Sequence, residues 1–585
     1  MPQHDGSVAG SDRPVAVRWR PWGAEAFREA TTADRPVLLN LTASWCHWCR
    51  LMDETTYADP ELVALVNAEL VPIRVDADRY PHVQYRYIAG GWPTNAFLTP
   101  TGEVLWAGTF VELEEFRGVA RNVLAAWKDR RAELDVEIQR RRKALDAARS
   151  HRPTTGIVRR EAADDVLAAI QHAYDPRNGG FGEAPKFPYA DAIELLFAQE
   201  RRAPGGGWGA MADHTLDGML AGDLWDELDG GFFRYALQAD WTHPRREKLL
   251  ETNAGLLAAY AVGAHVRGRE DWRRIAERIV SWVEGTLTRP DGLWSGSQMA
   301  AEAYYALPAE ARTRAPRPSV DATVFTDSAS HWIRALATAG PRLGRADWVE
   351  RAAGALPRLL SQMAAPGDLL FHHAASGEAP ALPGLLTDSL EAARACVAVA
   401  QATGRADLVG EARRLAAAMQ RRLWADAGGF VDHVPSDDDV AALRYRDRPF
   451  ELNADAARLL LDLYQATGER SYRALAERTL ATLSPLAGRY EVAGAAFALG
   501  VEEFFEAPLS VALVGSADST AELRAAALAL PLPERRVWPI GDGGRLPAGS
   551  FPSQPAPAAY LCSRGACSPA LRDPAELADA ARRAR

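Results

Sequence analysis

Cys46-His47-Trp48-Cys49 carries the plainest chemistry in this sequence. Two cysteines with two residues between them can close a small disulfide. If Cys46 opens a helix, the free N–H groups and the helix dipole there favour its thiolate, which is the nucleophile of thiol–disulfide exchange. Cys49 would then resolve the mixed disulfide. His47 can add positive charge, and Trp45 and Trp48 supply apolar surface beside the sulfur. Cys46 is therefore expected to be the more exposed and more acidic cysteine of the two. Two other readings stay open: a zinc site completed by further ligands, and an inert remnant in a binding domain. A second Cys or His pair at metal-ligand spacing is not evident, and the sequence calls for no cofactor.

The surrounding residues suit a thioredoxin-like order. Val37 to Thr42 reads as a buried strand, Arg50 to Tyr57 as helix and Glu61 to Leu70 as another helix. Val71 to Asp76 reads as a second strand, and Gly90-Gly91-Trp92-Pro93-Thr94 as a turn. A hairpin follows, from Ala96-Phe97-Leu98 through Gly102-Glu103 to Val104-Leu105-Trp106. Pro93 is the candidate for a cis-proline facing the dithiol. Asn40 stands six residues before Cys46, where thioredoxins carry a buried acid, and it cannot accept a proton as that acid would.

Beyond this region the pattern changes. Residues 126–158 read as a charged helical linker that breaks at His151 to Gly156. Residues 159–505 are Ala- and Leu-rich with helical period. Twelve segments begin near Ala162, Ala190, Ala210, Arg246, Asp271, Asp327, Arg345, Thr387, Asp407, Asn453, Ser471 and Glu491. Gly-Gly-Phe ends Asp175–Phe181, Asp229–Phe232 and Asp426–Phe430, with looser copies at Asp291–Trp294 and Asp368–Phe371. Most copies follow every second helix, which suggests six stacked hairpins closing into an (α/α)6 toroid with these turns on one rim. Residues 506–585 return to a small α/β pattern, with strands at Leu509–Gly515, Val537–Gly541 and Ala558–Cys567, and a Gly/Pro-rich loop from Gly541 to Pro557. The expected organisation is thus a thioredoxin-like domain over 1–125, the linker, the toroid and a C-terminal α/β segment. Cys562 and Cys567 are either strand-end residues or a second redox or metal pair, and Cys396 is expected in the helical core.

Composition narrows the partners. The chain has 585 residues and a net charge of −10, with 48% hydrophobic and 25% charged residues. An acidic chain is a poor match for nucleic acid or an anionic membrane surface. Met1 to Val15 lacks an apolar core of signal-peptide length, and no run approaches a membrane span. A cytosolic protein is expected, and in such a chain a close Cys pair is reactive or metal-binding more often than structural.

The motifs resemble those of the spermatogenesis-associated protein 20 family. Ser44 to Met52 looks like its dithiol motif, and Gly90-Gly91-Trp92-Pro93 with Phe97-Leu98-Thr99-Pro100 looks like its next one. Gly179-Gly180-Phe181 with Pro185-Lys186-Phe187-Pro188, then Gly230-Gly231-Phe232, Arg234-Tyr235, Trp241, Pro244 and Glu247-Lys248, resemble its helical domain. Cys562 and Cys567 before Asp573-Pro574 resemble its ending. The resemblance implies a thioredoxin-like domain joined to a six-hairpin toroid similar to glycosidases and N-acylglucosamine 2-epimerase. It carries a fold and not an activity. The chain departs from the family at Arg245, Arg246, Glu251 and Thr252, and it lacks the acid-rich segment near Ser297-Gln298. It looks like a divergent member.

Two functions follow from these residues. One is a thiol–disulfide oxidoreductase or redox sensor, acting on a protein disulfide partner. The other is a carbohydrate-active toroid, a hydrolase or epimerase, with the thioredoxin-like domain as accessory. For the second, Asp175, Asp229, Asp240, Glu247 and Asp388 are candidates for paired acid–base work. Each also suits a helix cap or turn. A small polar ligand would sit near Trp241, Glu247, Lys248 and Asp388, with weak or absent glycosidase activity because Thr252 stands where the family has an acid. A third option is a scaffold or chaperone-like binder.

Overall fold

The computed structural model describes residues 16–150, 156–540, 545–547, 549–551 and 557–583. Most of the expected Gly541–Pro557 loop, and the break at His151 to Thr155, lie outside the described residues. The chain divides into two units, residues 1–150 with 435–445, and residues 151–434 with 446–585.

The first unit is built on α1 (Ala24–Ala33), β1 (Val37–Thr42), α2 (His47–Glu54), α3 (Pro60–Glu69), β2 (Val71–Asp76), α4 (Pro81–Tyr87), β3 (Thr94–Leu98), β4 (Val104–Gly108), α5 (Leu113–Asp129) and α6 (Arg131–Ser150). The sheet order is β2-β1-β3-β4. β1 runs parallel to β2 and antiparallel to β3, and β3 and β4 form a hairpin. This is a thioredoxin-like sheet. Side chains alternate across a strand, so Val37, Leu39 and Leu41 enter a core with Phe27, while Leu38 enters the opposite core with Met52, Phe97 and Phe116. Burial on both faces explains why apolar residues fill the successive positions Val37, Leu38 and Leu39 of β1.

This unit extends past the expected boundary at 125. Trp127 is buried and its Nε1 donates to the Asp34 carbonyl at 3.0 Å. Arg142 on α6 donates to Glu103 at 2.6 Å, in the β3–β4 hairpin. Residues 435–445 complete the first core with Val440, Ala441 and Leu443. The Tyr87 hydroxyl bridges them, donating to the Gly102 carbonyl at 2.9 Å and accepting from the Ala442 N–H at 3.1 Å.

The second unit contains α7 (Glu161–Ala173), α8 (Ala190–Arg202), α9 (Trp208–Ala221), α10 (Leu250–Arg267), α11 (Glu270–Thr286), the short α12 (Glu302–Tyr305) and α13 (Ala309–Arg312), α14 (Thr326–Arg342), α15 (Ala346–Gln362), α16 (Leu386–Thr403), α17 (Ala406–Leu423), α18 (Phe450–Thr467), α19 (Arg470–Leu483) and α20 (Ala495–Phe505). Helices α8, α10, α14, α16, α18 and α20 pack each on the next, and α20 closes on α8. Around this ring α9, α11, α15, α17, α19 and α7 pack on α8, α10, α14, α16, α18 and α20 in turn. The result is a closed (α/α)6 toroid. Outer helices need one apolar stripe, as α11 shows with buried Trp272, Ala276, Ile279, Val280 and Val283. Inner helices are apolar almost all round, as in α16.

The Gly-Gly-Phe turns all lie in outer-to-inner connections, and so on one rim. In both Gly179-Gly180 and Gly230-Gly231 the two glycines have φ between 69° and 81°, a region closed to most side chains. Each turn is stapled by a buried lysine. Lys186 Nζ donates to Asp175 Oδ2 at 2.6 Å and the Gly179 carbonyl at 2.8 Å. Lys248 Nζ donates to Asp226 Oδ2 at 2.7 Å and the Gly230 carbonyl at 2.6 Å. Asn253 and Asn453 clamp the N–H and carbonyl of Phe232 and Phe430.

After the ring come strands 510–514, 536–540, 558–563 and 566–567, with α21 (Ala521–Leu528) and α22 (Pro574–Arg583). The 510–514 strand is parallel to 536–540 and antiparallel to 558–563, which forms a hairpin with 566–567.

Candidate functional site

β1 delivers the chain to a short turn, and Cys46 becomes the N-cap of α2. Its Sγ is bonded to Cys49 Sγ and accepts from the Cys49 N–H at 3.1 Å. That is the helix-start placement that favours a thiolate in the reduced form. The two cysteines are equally enclosed, 6% and 5% exposed, so exposure does not set Cys46 apart. The Trp92–Pro93 bond is cis, and Pro93 leads directly into β3. Trp45 joins the two loops, meeting Trp92 edge-on at 5.4 Å and donating from Nε1 to Asp78 Oδ2 at 2.6 Å. Trp48 packs on Phe110 at 5.0 Å, and His47 lies edge-on to Trp48.

Buried Asn40 heads a polar network. Its Nδ2 donates to Asn95 Oδ1 at 2.9 Å, which also accepts from the Tyr57 hydroxyl at 2.6 Å. Its Oδ1 accepts from Arg74 Nε at 2.9 Å. Arg74 pairs with Asp53 and lies 4.3 Å from the centre of the Trp19 ring. Burial pushes the Tyr57 hydroxyl far above its ordinary range, so it remains a donor. The charges beside this network are those of Arg74 and Asp53, both partly exposed.

In the toroid the inner helices surround a cavity of about 160 Å³. Asp191, Glu194, His331, Arg334, Arg394 and Arg458 line it. Arg458 donates to Glu194 at 2.6 Å, and Arg394 to Glu391 at 2.6 Å and Asp455 at 2.9 Å. Asp191 is open to the cavity yet walled by protein. Burial, then Asp455 and Glu194, pushes it up to about 6. Glu451, in the first turn of α18, is pushed up to about 7 by burial and by Asp191 and Asp455. Burial would raise Glu194 too, but Arg458 outweighs it and holds it at about 2. Burial and Arg334 depress His331 to about 3. The cavity thus places Asp191, with its carboxyl pushed up, beside Glu194, which is held down, the separation that divides acid from base roles.

Most toroid residues picked from the sequence fall elsewhere. Trp241 is 1% exposed, donates from Nε1 to the Asn178 carbonyl at 3.1 Å and packs on Gly180. Glu247 pairs with Arg234 at 3.1 Å. Lys248 is a turn staple, pushed down to about 8 by burial against the pull of Asp226. None of the three lines the central cavity. Asp175 stabilises its Gly-Gly turn, and Asp229 accepts from the Tyr304 hydroxyl at 3.0 Å. Asp240 accepts from the Thr242 hydroxyl at 2.6 Å.

Asp388 is fully buried and pairs with His372 Nδ1 at 2.8 Å. Burial, opposed by His372, pushes it up to about 7. With Asp327 these form a one-histidine, two-carboxylate group whose polar atoms lie within 4.8 Å, a donor set suited to a divalent cation.

The cavity residues carried a signal that the Gly-Gly motifs obscured. Asp191/Glu194, His331/Arg334, Glu391/Arg394 and Asp455/Arg458 each set ionisable residues three apart on inner helices. That spacing shares a helix face.

Residues 10–146 match the Thioredox_DsbH family model, described as a protein of unknown function, DUF255. The resemblance to spermatogenesis-associated protein 20 also holds. The human protein is 32% identical over 301 residues, 47% of this chain and 38% of that one. The mouse protein is 32% identical over 297 residues, with the same coverage. The aligned part is thus well under half of these relatives. Among solved structures, a sugar epimerase from a ruminal bacterium matches 55% of this chain and 84% of its own, at 14% identity and TM-score 0.46. Cellobiose 2-epimerase from Spirochaeta thermophila matches 58% and 84%, at 18% identity and TM-score 0.45. No helix among the described residues is long and apolar enough to cross a membrane.

Proposed function

We propose that the chain is a thiol–disulfide oxidoreductase working through Cys46 and Cys49 on a protein disulfide in the cytosol. The observation that carries this reading is Cys46 at the N-cap of α2, with the Cys49 N–H aimed at its sulfur. In the reduced form the Cys46 thiolate attacks the partner disulfide, forming a mixed disulfide and expelling one partner thiolate. The Cys49 thiolate then attacks Cys46 Sγ, expels the second partner thiolate and restores the Cys46–Cys49 bond. Two electrons pass to the partner. The half-buried aromatic surface of Trp48 and Phe110 supports docking of an unfolded or loop segment. Cys49→Ser should accumulate a mixed disulfide at Cys46 that a reductant releases. Failure of reduced Cys49→Ser to form any adduct with disulfide substrates would overturn the reading.

A second reading, a carbohydrate-active helical unit, is favoured by Asp191 beside Glu194 at the cavity. A panel of glycosides and amino sugars tests it. Turnover lost in Asp191→Asn supports it, and no binding of any member of the panel removes it.

A further inference from the structure

The hairpin formed by strands 558–563 and 566–567 carries the other disulfide among the described residues, Cys562–Cys567. The bond has little to hold together. Cys562 and Cys567 lie directly opposite each other, and Ser563 pairs with Ala566. Arg564 and Gly565, with φ of 50° and 78°, make the tight two-residue turn that suits a hairpin's twist. Turn and ladder close the loop without sulfur. A cross-link across so few residues also removes little freedom from the unfolded chain, because that effect grows with loop length. The bond can therefore open without releasing the strands.

Its two sulfurs are unequally placed. Cys562 is 4% exposed and joins the core of the second unit. Cys567 is half-buried beside the exposed Arg564, Gly565 and Ala566. Arg564, its side chain 83% exposed, sits on the turn between the cysteines and pairs with Glu506 at 3.3 Å.

We propose that Cys562–Cys567 is a second redox-active disulfide, opened and closed by a small carboxylate-bearing thiol of the glutathione class. The thiolate attacks Cys567 Sγ, and Cys562 leaves as thiolate. A second thiol attacks the incoming sulfur, leaving Cys567 as thiolate and one molecule of oxidised small thiol. Two electrons enter the hairpin, and the reverse steps remove them. The Arg564 guanidinium favours the thiolates and attracts the carboxylates of the reagent. This site stands independently of any activity at Cys46.

The test uses the full chain with Cys46→Ser and Cys49→Ser, equilibrated with reduced and oxidised glutathione, alkylated and read by peptide mass spectrometry. The expected result is a reversible titration of Cys562 and Cys567 together. The reduced fraction should rise from a tenth to nine tenths over about a hundredfold change in [thiol]²/[disulfide], with circular dichroism unchanged. Arg564→Gln should slow reduction by glutathione several-fold and leave reduction by mercaptoethanol unchanged. A bond that opens only as the chain unfolds would overturn the proposal. So would equal slowing of both thiols in Arg564→Gln, which would remove the role given to the arginine and the reagent class with it.

Discussion

The sheet of the first unit and the sheet after the toroid share one plan. In each, a central strand runs parallel to the second strand and antiparallel to the third, and the third forms a hairpin with an edge strand. The first crossover of each holds helix, α2 and α3 in one and α21 in the other, and a helix follows each hairpin; the second crossover holds α4 in the first unit and, among the described residues, the short strands 545–546 and 549–550 in the later one. The chemistry is placed differently. After β1 the chain caps a helix with Cys46, whereas after the 510–514 strand it passes through Gly515 to Thr520 with no cysteine. The later sheet puts its sulfur at the opposite end of the third strand, where Cys562 matches Leu98 by register. The hairpins differ in the same way. Glu103 holds the first, accepting from Thr99, Thr101 and Arg142, while a disulfide spans the second. One strand plan thus supports two kinds of sulfur site, and function follows the grafted residues and not the sheet.

Five substitutions would break or sharpen this comparison. Cys46→Ser should have the largest effect, dropping exchange with a model protein disulfide to background while Cys562 and Cys567 still titrate. Loss of both together would mean that the two sites are one system. Leu39→Ala and Leu513→Ala remove fully buried side chains from the two central strands. Each should cost about 2–5 kcal/mol in chemical denaturation, and a negligible cost at one would show that its sheet is not a true core.

Asn40→Asp replaces a donor to Asn95 with an acceptor, and a fall of about 1–3 kcal/mol in unfolding free energy is expected. Greater stability would mean that Arg74 prefers a carboxylate there. The smallest effect concerns Glu103. Burial would raise its carboxyl, but hydrogen bonds from Thr101 and Thr99 and the Arg142 charge outweigh burial and hold it below the usual range. A depressed folded value gives stability that is present above the unfolded value, near 4.5, and lost as pH falls through the folded one. Glu103→Gln should therefore flatten the stability–pH curve below about 4.5, which thermal melts at successive pH values would show.

Much of this was legible in the sequence because the signals are local. The twelve expected helix starts lie close to the observed ones, Ala190 coinciding and Asp271, Asp327 and Thr387 falling one residue late. The dithiol and Pro93 were readable because a loop motif keeps its residues together. The pocket was less legible. Gly-Gly-Phe, Trp241 and Lys248 attract the eye, but they brace turns. The cavity charges stand as one pair on each of four helices, and only ring closure brings the pairs together. Residues 435–445 had no sequence signal for their place beside α4 and Gly102, since partners hundreds of residues apart leave no local period.

That last segment has a consequence for synthesis. Val440, Ala441 and Leu443 belong to the core of a unit whose other residues precede position 151. A ribosome adding roughly 5–20 residues per second needs roughly a quarter of a minute to a minute to travel from the end of α6 to residue 445. Through that interval the nascent thioredoxin-like unit exists with one face of its sheet incompletely covered, Tyr87 lacks the Ala442 N–H, and a gene cut at residue 150 would fix it permanently in that state.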